Sequence, residues 1–330
     1  MRKFTVFLAA VAAATIVAAV PARKFFRSRE DTAWRDAERP GRIVTVDGVG
    51  LHYVEQAPPV GGNVPVIVMV HGFGGNTYSF RHQIVDLAQD YRCIAIDLKG
   101  FGYSERPDGG DYSLTEQARL VLGAMDALGI GKATLIGQSM GGEVVMRMAE
   151  MAPERVERII LAASVPGKRV PIAPRLSFLR RLIGPISKLV AARSWKRLFY
   201  EGNRADIEQI RAEYQKPARI YGTTRTTWEM WEGIRHDERI DFARLTQPVL
   251  ILWAEKERIL PLPGRSLRWL QAQLPQAITE HIPLSGHMLL EEQPAIVNAA
   301  IRRFLDGAGA AAAARPKLAG LSQSSANPDM

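Results

Sequence analysis

A serine able to act as a nucleophile stands in Gly137-Gln138-Ser139-Met140-Gly141. It follows a short apolar run, Ala133 to Ile136, and opens a stretch of helical periodicity from Met140 to Met151. Strand, serine and helix in that order describe a turn so tight that the two elements nearly touch, and the flanking positions must be small. Gly137 and Gly141 meet that demand, and Gly142 adds room. The five-residue spacing alone matches by chance often; the strand-turn-helix setting gives it chemical meaning. A second piece, His71-Gly72-Phe73-Gly74-Gly75, directly follows an apolar run ending at Val70. Its glycines let the loop bend until a backbone N–H points at Ser139. The N–H groups of Phe73 and Met140 would then hold the charge that develops on a carbonyl oxygen under attack. His71 reads as support for this loop.

Elements of two kinds must position these groups. Arg42 to Val46 and Leu51 to Val54 alternate around Asp47-Gly48 and read as a hairpin. Short apolar runs follow at 64–70, 93–96, 133–136, 158–162, 249–253 and 278–282, as expected for strands covered on both faces. Helical patterns separate them. Ser113-Leu114-Thr115-Glu116 opens one with a capping box, in which Ser113 caps and Glu116 reaches back. Alternation of this kind predicts an α/β fold with a mostly parallel sheet and helices on both faces. The interval from Pro166 to about Asp241 is too long for a bare loop. It carries helical periodicity in Leu176, Leu179, Ile183, Ile186 and Leu189-Val190 beside many arginines, and reads as a helical insertion above the sheet.

The 330 residues, 47% of them hydrophobic, suffice for one large domain with an insertion. The single cysteine, Cys93, sits in an apolar run and reads as core. The net charge of +9 collects near the N-terminus and in the insertion. That points to an anionic membrane surface before nucleic acid, for which no signature is present. Phe4 to Val20 is a nearly unbroken apolar run between Arg2-Lys3 and a basic flank of Arg23, Lys24, Arg27 and Arg29. It reads as an export signal, with Val20-Pro21-Ala22 as a cleavage site, or as an uncut signal anchor. The basic downstream flank leaves cleavage and topology open. The expected organisation is a signal or anchor segment at 1–30, a core at 41–165 and 241–306, a helical cap at 166–240 and a disordered tail at 307–330.

The stretch from His71 to Leu305 resembles the α/β-hydrolase superfamily. The resemblance is carried by His71-Gly72-Phe73-Gly74-Gly75, Asp97-Leu98-Lys99-Gly100-Phe101-Gly102-Tyr103-Ser104, Gly137 to Gly142, Pro248 to Pro261 and Ser285-Gly286-His287, all in family order. It implies an α/β-hydrolase fold, a Ser–acid–His order of catalytic residues and a cap inserted after the sixth strand. The family places its base in a loop such as Ser285-Gly286-His287, which makes His287 the expected base. His52, His82, His236 and His281 are weaker candidates. The acid position, usually Asp, is Glu257 here, with Glu255 as its nearest rival; an extra methylene must then be absorbed by the loop. Asp97 reads as structural.

These residues imply a serine hydrolase acting on a carboxylic ester or related acyl substrate, with catalytic Ser139, Glu257 and His287 and oxyanion donors Phe73 and Met140. No metal and no organic cofactor are expected. In the family, dehalogenases and epoxide hydrolases carry Asp at the nucleophile position, so Ser139 argues against both. Two alternatives stand: a carbon–carbon bond hydrolase of the same fold, and a non-catalytic binding protein in which Glu257 marks decay of the triad. The expected partner is a small, apolar acyl substrate, with membrane association through the N-terminal segment or the basic insertion. Trp195, Tyr221, Trp228 and Trp231 either line an apolar pocket or pack the insertion itself.

Overall fold

The computed structural model describes residues 30–59, 64–164, 197–201, 207–260 and 262–307. The apolar run at 4–20 with its cleavage site, the periodic segment at 176–190, Trp195 and the tail beyond Gly307 lie outside the described residues. Among the described residues no helix is long and apolar enough to cross a membrane.

One sheet of eight strands organises the chain: β1 (Arg42–Val46), β2 (Val49–Gln56), β3 (Val66–Val70), β4 (Arg92–Ile96), β5 (Ala133–Gln138), β6 (Val156–Ala162), β7 (Val249–Ala254) and β8 (Ile278–Ile282). Their spatial order is β1-β2-β4-β3-β5-β6-β7-β8. β2 runs antiparallel to both β1 and β4, and every other pairing is parallel. The hairpin turns on Asp47 at φ 48° and Gly48 at φ 79°. Two positive angles in a two-residue loop match the right-handed twist of the strands they join.

Continuous apolar strands feed two cores because their side chains alternate. Val68 and Val70 of β3 enter one cluster, and Ile67 and Met69 enter the other. Likewise Ile251 and Trp253 of β7 face one side, and Leu250 and Leu252 the other. The first cluster is covered by α2 (Leu114–Ala127), α3 (Met140–Met151) and α6 (Pro263–Gln273). The second is covered by α1 (Arg81–Leu87) and α8 (Pro294–Leu305). Cys93 is fully buried in that second cluster, and burial pushes its thiol up to about 12.

Asp97, just beyond β4, ties together loops that are distant in sequence. Its carboxylate accepts the backbone N–H of Thr77 at 2.6 Å and of Tyr103 at 2.7 Å, and faces His52 Nδ1 at 2.7 Å. His52, Thr77 and Asp97 are buried. Gly102 turns against that carboxylate at φ 51°, and a Cβ there would lie 2.1 Å from Asp97 Cγ. His52 and Asp97 therefore hold loops in place at the carboxyl edge of the sheet.

The chain between β6 and β7 includes α4 (Ile207–Gln215) and α5 (Thr223–His236). Buried Arg106 donates to Ser104 O at 2.6 Å, Gly102 O at 2.7 Å, Pro217 O at 3.2 Å and Thr223 Oγ1 at 2.9 Å, so one guanidinium spans core and insertion. Asp237, after α5, accepts the N–H groups of Leu114 and Thr115 at 2.8 and 3.1 Å, placing a negative charge at the start of α2. The expected capping box is half realised. Ser113 Oγ accepts the Glu116 N–H at 3.1 Å, but Glu116 turns outward to Arg119, and the Ser113 N–H goes to Asp111 Oδ1 at 2.7 Å. The aspartate two residues upstream reaches that N–H with less chain to order.

Gly102 and Gly109 both adopt positive φ, but an added Cβ at Gly109 meets open space. Gly109→Ala should therefore cost only the left-handed strain of about 1 kcal/mol. Gly102→Ala adds collision with Asp97 and should cost about 3 kcal/mol or more. Urea midpoints of the two variants check the difference.

Candidate active site

Four loops converge at the carboxyl edge of the sheet, after β3, β5, β7 and β8. β3 and β5 are neighbours in register, with Val70 beside Gly137, so the glycine loop and the serine turn leave the sheet side by side. The chain passes from β3 to β4 on one side and returns to β5 on the other, which opens a crevice there.

Ser139 has φ 52° and ψ −120°, a conformation that costs on the order of 1–3 kcal/mol for a residue with a side chain. Its surroundings impose it. A Cβ at Gly137 would lie 2.4 Å from Gly141 O, and one at Gly141 would lie 2.1 Å from Val70 O. The Ser139 N–H donates to Ala162 O at 2.9 Å, and Ser164 Oγ donates to Ser139 O at 2.6 Å. Backbone thus packs on backbone, and α3 starts at Met140 with no room to spare.

The loop after β3 presses against this turn. The Gly72 N–H donates to Gln138 Oε1 at 3.1 Å, and a Cβ at Gly72 would lie 2.9 Å from Ser139 Cβ. His71 supports the loop from below. Its Nδ1–H donates to Gly72 O at 2.7 Å, and its Nε2 accepts the Leu98 N–H at 3.1 Å. Only the neutral ring satisfies both partners. Burial holds its pKa below the ordinary histidine value against the pull of nearby Asp97. Met140 opens α3, so its N–H is among those a helix leaves without an intrahelical acceptor. The Phe73 N–H has no backbone acceptor among the described residues. The Phe73 ring packs 5.6 Å from that of Phe101 and 5.1 Å from that of Trp231 on α5.

His287 completes the arrangement. Its Nε2 lies 2.9 Å from Ser139 Oγ and its Nδ1 lies 2.8 Å from Glu257 Oε2. A carboxylate only accepts, so Nδ1 carries the hydrogen and Nε2 turns its lone pair to the serine. Glu257 Oε1 accepts the N–H groups of Ile259 at 2.7 Å and Leu260 at 3.1 Å. Burial would raise this acid, but the His287 contact and the two N–H groups outweigh it and hold Glu257 below the usual carboxylate range. Ser139, His287 and Glu257 thus form one hydrogen-bonded line across three loops. The rival Glu255 is exposed and pairs with Lys256 and the Leu284 N–H. His236 and His281 are exposed, and His82 lies on α1.

A family model described as the alpha/beta hydrolase fold matches residues 65–294. The chain belongs to the α/β-hydrolase family. Within that family it is similar to an uncharacterised hydrolase of Bacillus subtilis, YugF, at 28% identity over 82% of this chain and 99% of that one. Haloalkane dehalogenase 2 of Mycobacterium bovis is also 28% identical, over 82% of this chain and 93% of its own length. Among solved structures, a thermophilic esterase from Thermogutta terrifontis superposes with a TM-score of 0.67 at 25% identity, covering 81% of this chain and 98% of that one.

Two contributors to this α/β-hydrolase site escape sequence reading. Gln138 orients the glycine loop through its amide, yet it occupies the variable position of the serine pattern. Ser164 braces the turn from the end of β6, 25 residues away. Gly142 gave an indirect signal, because a Cβ there would strike Ser164 Oγ at 1.9 Å.

His71 carries a pH consequence. Its folded pKa lies below the unfolded one, so its stabilising contribution is full above the unfolded value and is lost as pH falls through it. Below a pH of about 6.5 the unfolded chain takes up the proton first, so stability should fall as the pH falls. His71→Gln keeps an acceptor for the Leu98 N–H and removes the titration. Its unfolding free energy should fall less steeply than wild type between about pH 7 and 5.5. Parallel denaturation curves across that window would exclude His71 as the source.

Proposed function

We propose that this α/β hydrolase is a serine hydrolase that cleaves a carboxylic ester or related acyl substrate through an acyl-enzyme. The observation that carries this reading is the unbroken line from Ser139 Oγ through His287 to Glu257. Ser139 attacks the substrate carbonyl as its proton passes to His287 Nε2. The N–H groups of Phe73 and Met140 hold the resulting oxyanion, and His287 returns the proton to the departing alkoxide. Water then repeats the sequence on the acyl-enzyme and frees Ser139. Glu257, kept ionised by its three donors, fixes the tautomer of His287 and offsets the charge it gains.

The nucleophile also limits the reaction class. Displacement of halide from a saturated carbon by Ser139 would leave an alkyl ether, which has no carbonyl for water to attack and could not turn over. The reaction named for the mycobacterial relative therefore does not transfer to this chain. Acyl chemistry does, because an ester to Ser139 retains its carbonyl. The insertion at 166–240 serves in this reading as a cap. The half-exposed rings of Phe73 and Trp231, packed on one another where core and cap meet, favour an apolar acyl or alcohol group.

A fluorophosphonate probe should label wild type at Ser139 and leave Ser139→Ala unlabelled. On a series of aryl esters of rising acyl length, Glu257→Gln should lose about a hundredfold or more in kcat. Full activity in Glu257→Gln would remove that residue from its role, and a wild type that never labels would end the serine-hydrolase reading. The same proposal keeps residues 1–30 as an export signal or anchor. Cell fractionation should then find the full chain with membranes or beyond them, and a wholly cytoplasmic distribution would refute it.

A further inference from the structure

The loop bearing His287 is gripped from the cap side. Glu292, at the end of the short helix α7 (Leu289–Glu292), accepts two backbone N–H groups at once. Its Oε1 takes that of Gly286 at 2.8 Å, and its Oε2 takes that of Tyr200, in the insertion, at 2.7 Å. On the other side of His287, the Met288 N–H donates to Leu198 O at 3.2 Å. The residues on either side of the histidine are therefore both tied to the segment 198–200, Gly286 through the Glu292 carboxylate and Met288 directly. The contact is backbone on backbone, since a Cβ at Gly286 would lie 2.7 Å from Leu198 O and 2.8 Å from Tyr200 N. Phe199, Ile207, Tyr214 and Met288 close an apolar cluster around it. The neighbouring Glu291 accepts from the Tyr214 hydroxyl of α4 at 2.7 Å and pairs with Arg81.

Glu257 sets the tautomer and tilt of the imidazole, but it does not set where the backbone of residue 287 stands. The 2.9 Å reach to Ser139 needs that backbone in one place. A displacement of about 1 Å at a reacting group can cost about a hundredfold in rate. We propose that Glu292 is a positioning residue for His287, which it holds by bridging Gly286 to Tyr200, so that the geometry of the base depends on the cap being seated. This rests on the reading of Ser139 and His287 as nucleophile and base.

The full chain with Glu292→Gln tests it. Glutamine keeps the size but offers one acceptor oxygen and sets an NH2 against the second N–H. Active-site titration with a fluorophosphonate counts competent sites, so the rate per site is separated from loss of folded protein. The labelling rate per site should fall about tenfold, with kcat on an aryl ester falling alike and KM holding within about twofold. Tyr214→Phe removes a neighbouring hydrogen bond of the same seam, that to Glu291, and leaves the Glu292 bridge and its hold on Gly286 in place, so it should stay within about twofold of wild type per site. A wild-type rate in Glu292→Gln, or an equal loss in Tyr214→Phe, would overturn the proposal while leaving the serine-hydrolase reading intact. A wild type that never labels at Ser139 would overturn both. Should Glu292→Gln fail to fold, Glu292→Asp, too short to span both N–H groups, is expected to show a partial loss per site; no loss would count against the role.

Discussion

Ser139 is held in a conformation that a residue with a side chain avoids, and the rest of the site follows from the packing that holds it there. The turn closes only because Gly137 and Gly141 let α3 lie on β5 and on the end of β3. Once α3 is seated there, its first N–H groups open toward the crevice and the serine side chain stands clear of both elements. The strain is local, whereas the forces opposing it come from the whole sheet, through Val70, Ala162 and Ser164. Relaxing the turn would require β3, β5 and β6 to part.

Around that fixed point the polar groups are arranged so that each has one available role. His71 is neutral because both its ring nitrogens are committed to backbone partners. Asp97 is saturated by two backbone N–H groups and His52, which keeps a second carboxylate away from the reacting centre. Glu257 spends one oxygen on its own loop and the other on His287. His287 Nε2 is thereby left with its lone pair facing the Ser139 hydroxyl. The longer side chain of Glu257, compared with aspartate, is accommodated because Ile259 and Leu260 fold back to cap its inner oxygen.

Much of this was legible in the residues. The strands at β3 to β8, the Asp47-Gly48 hairpin and the helix opening at Met140 follow from apolar runs and turn chemistry, which are local. So does the serine turn, where the glycines are demanded by contact between adjacent elements. The expected capping box at Ser113 is only half realised for a reason of the same kind: Ser113 caps, but Asp111 lies nearer to the Ser113 N–H than the Glu116 side chain does. What stayed hidden rests on residues brought together by topology. Asp237 meets α2 across 123 positions, and Gln83 meets Asn298 across 215. No spacing rule encodes such pairs. Gln138 was hidden differently, because a backbone N–H can donate to any nearby amide oxygen.

The seam between insertion and core is built chiefly of side chains gripping backbone. Arg106 binds three carbonyls, Asp237 and Glu292 bind N–H groups, and Arg225 donates to the carbonyls of Pro107 and Arg106. A peptide group is the same whatever residue carries it. The stretches whose backbone is gripped, at Tyr200 and Pro217 in the insertion and at Pro107 and Leu114-Thr115 in the core, can therefore change their own side chains and still dock, provided the gripping residues stay and the chain keeps its path. Such a joint lets the gripped stretches drift in sequence while the loops they hold stay still. It is a division of labour between evolvable and invariant surfaces, written into hydrogen bonds that do not read side chains.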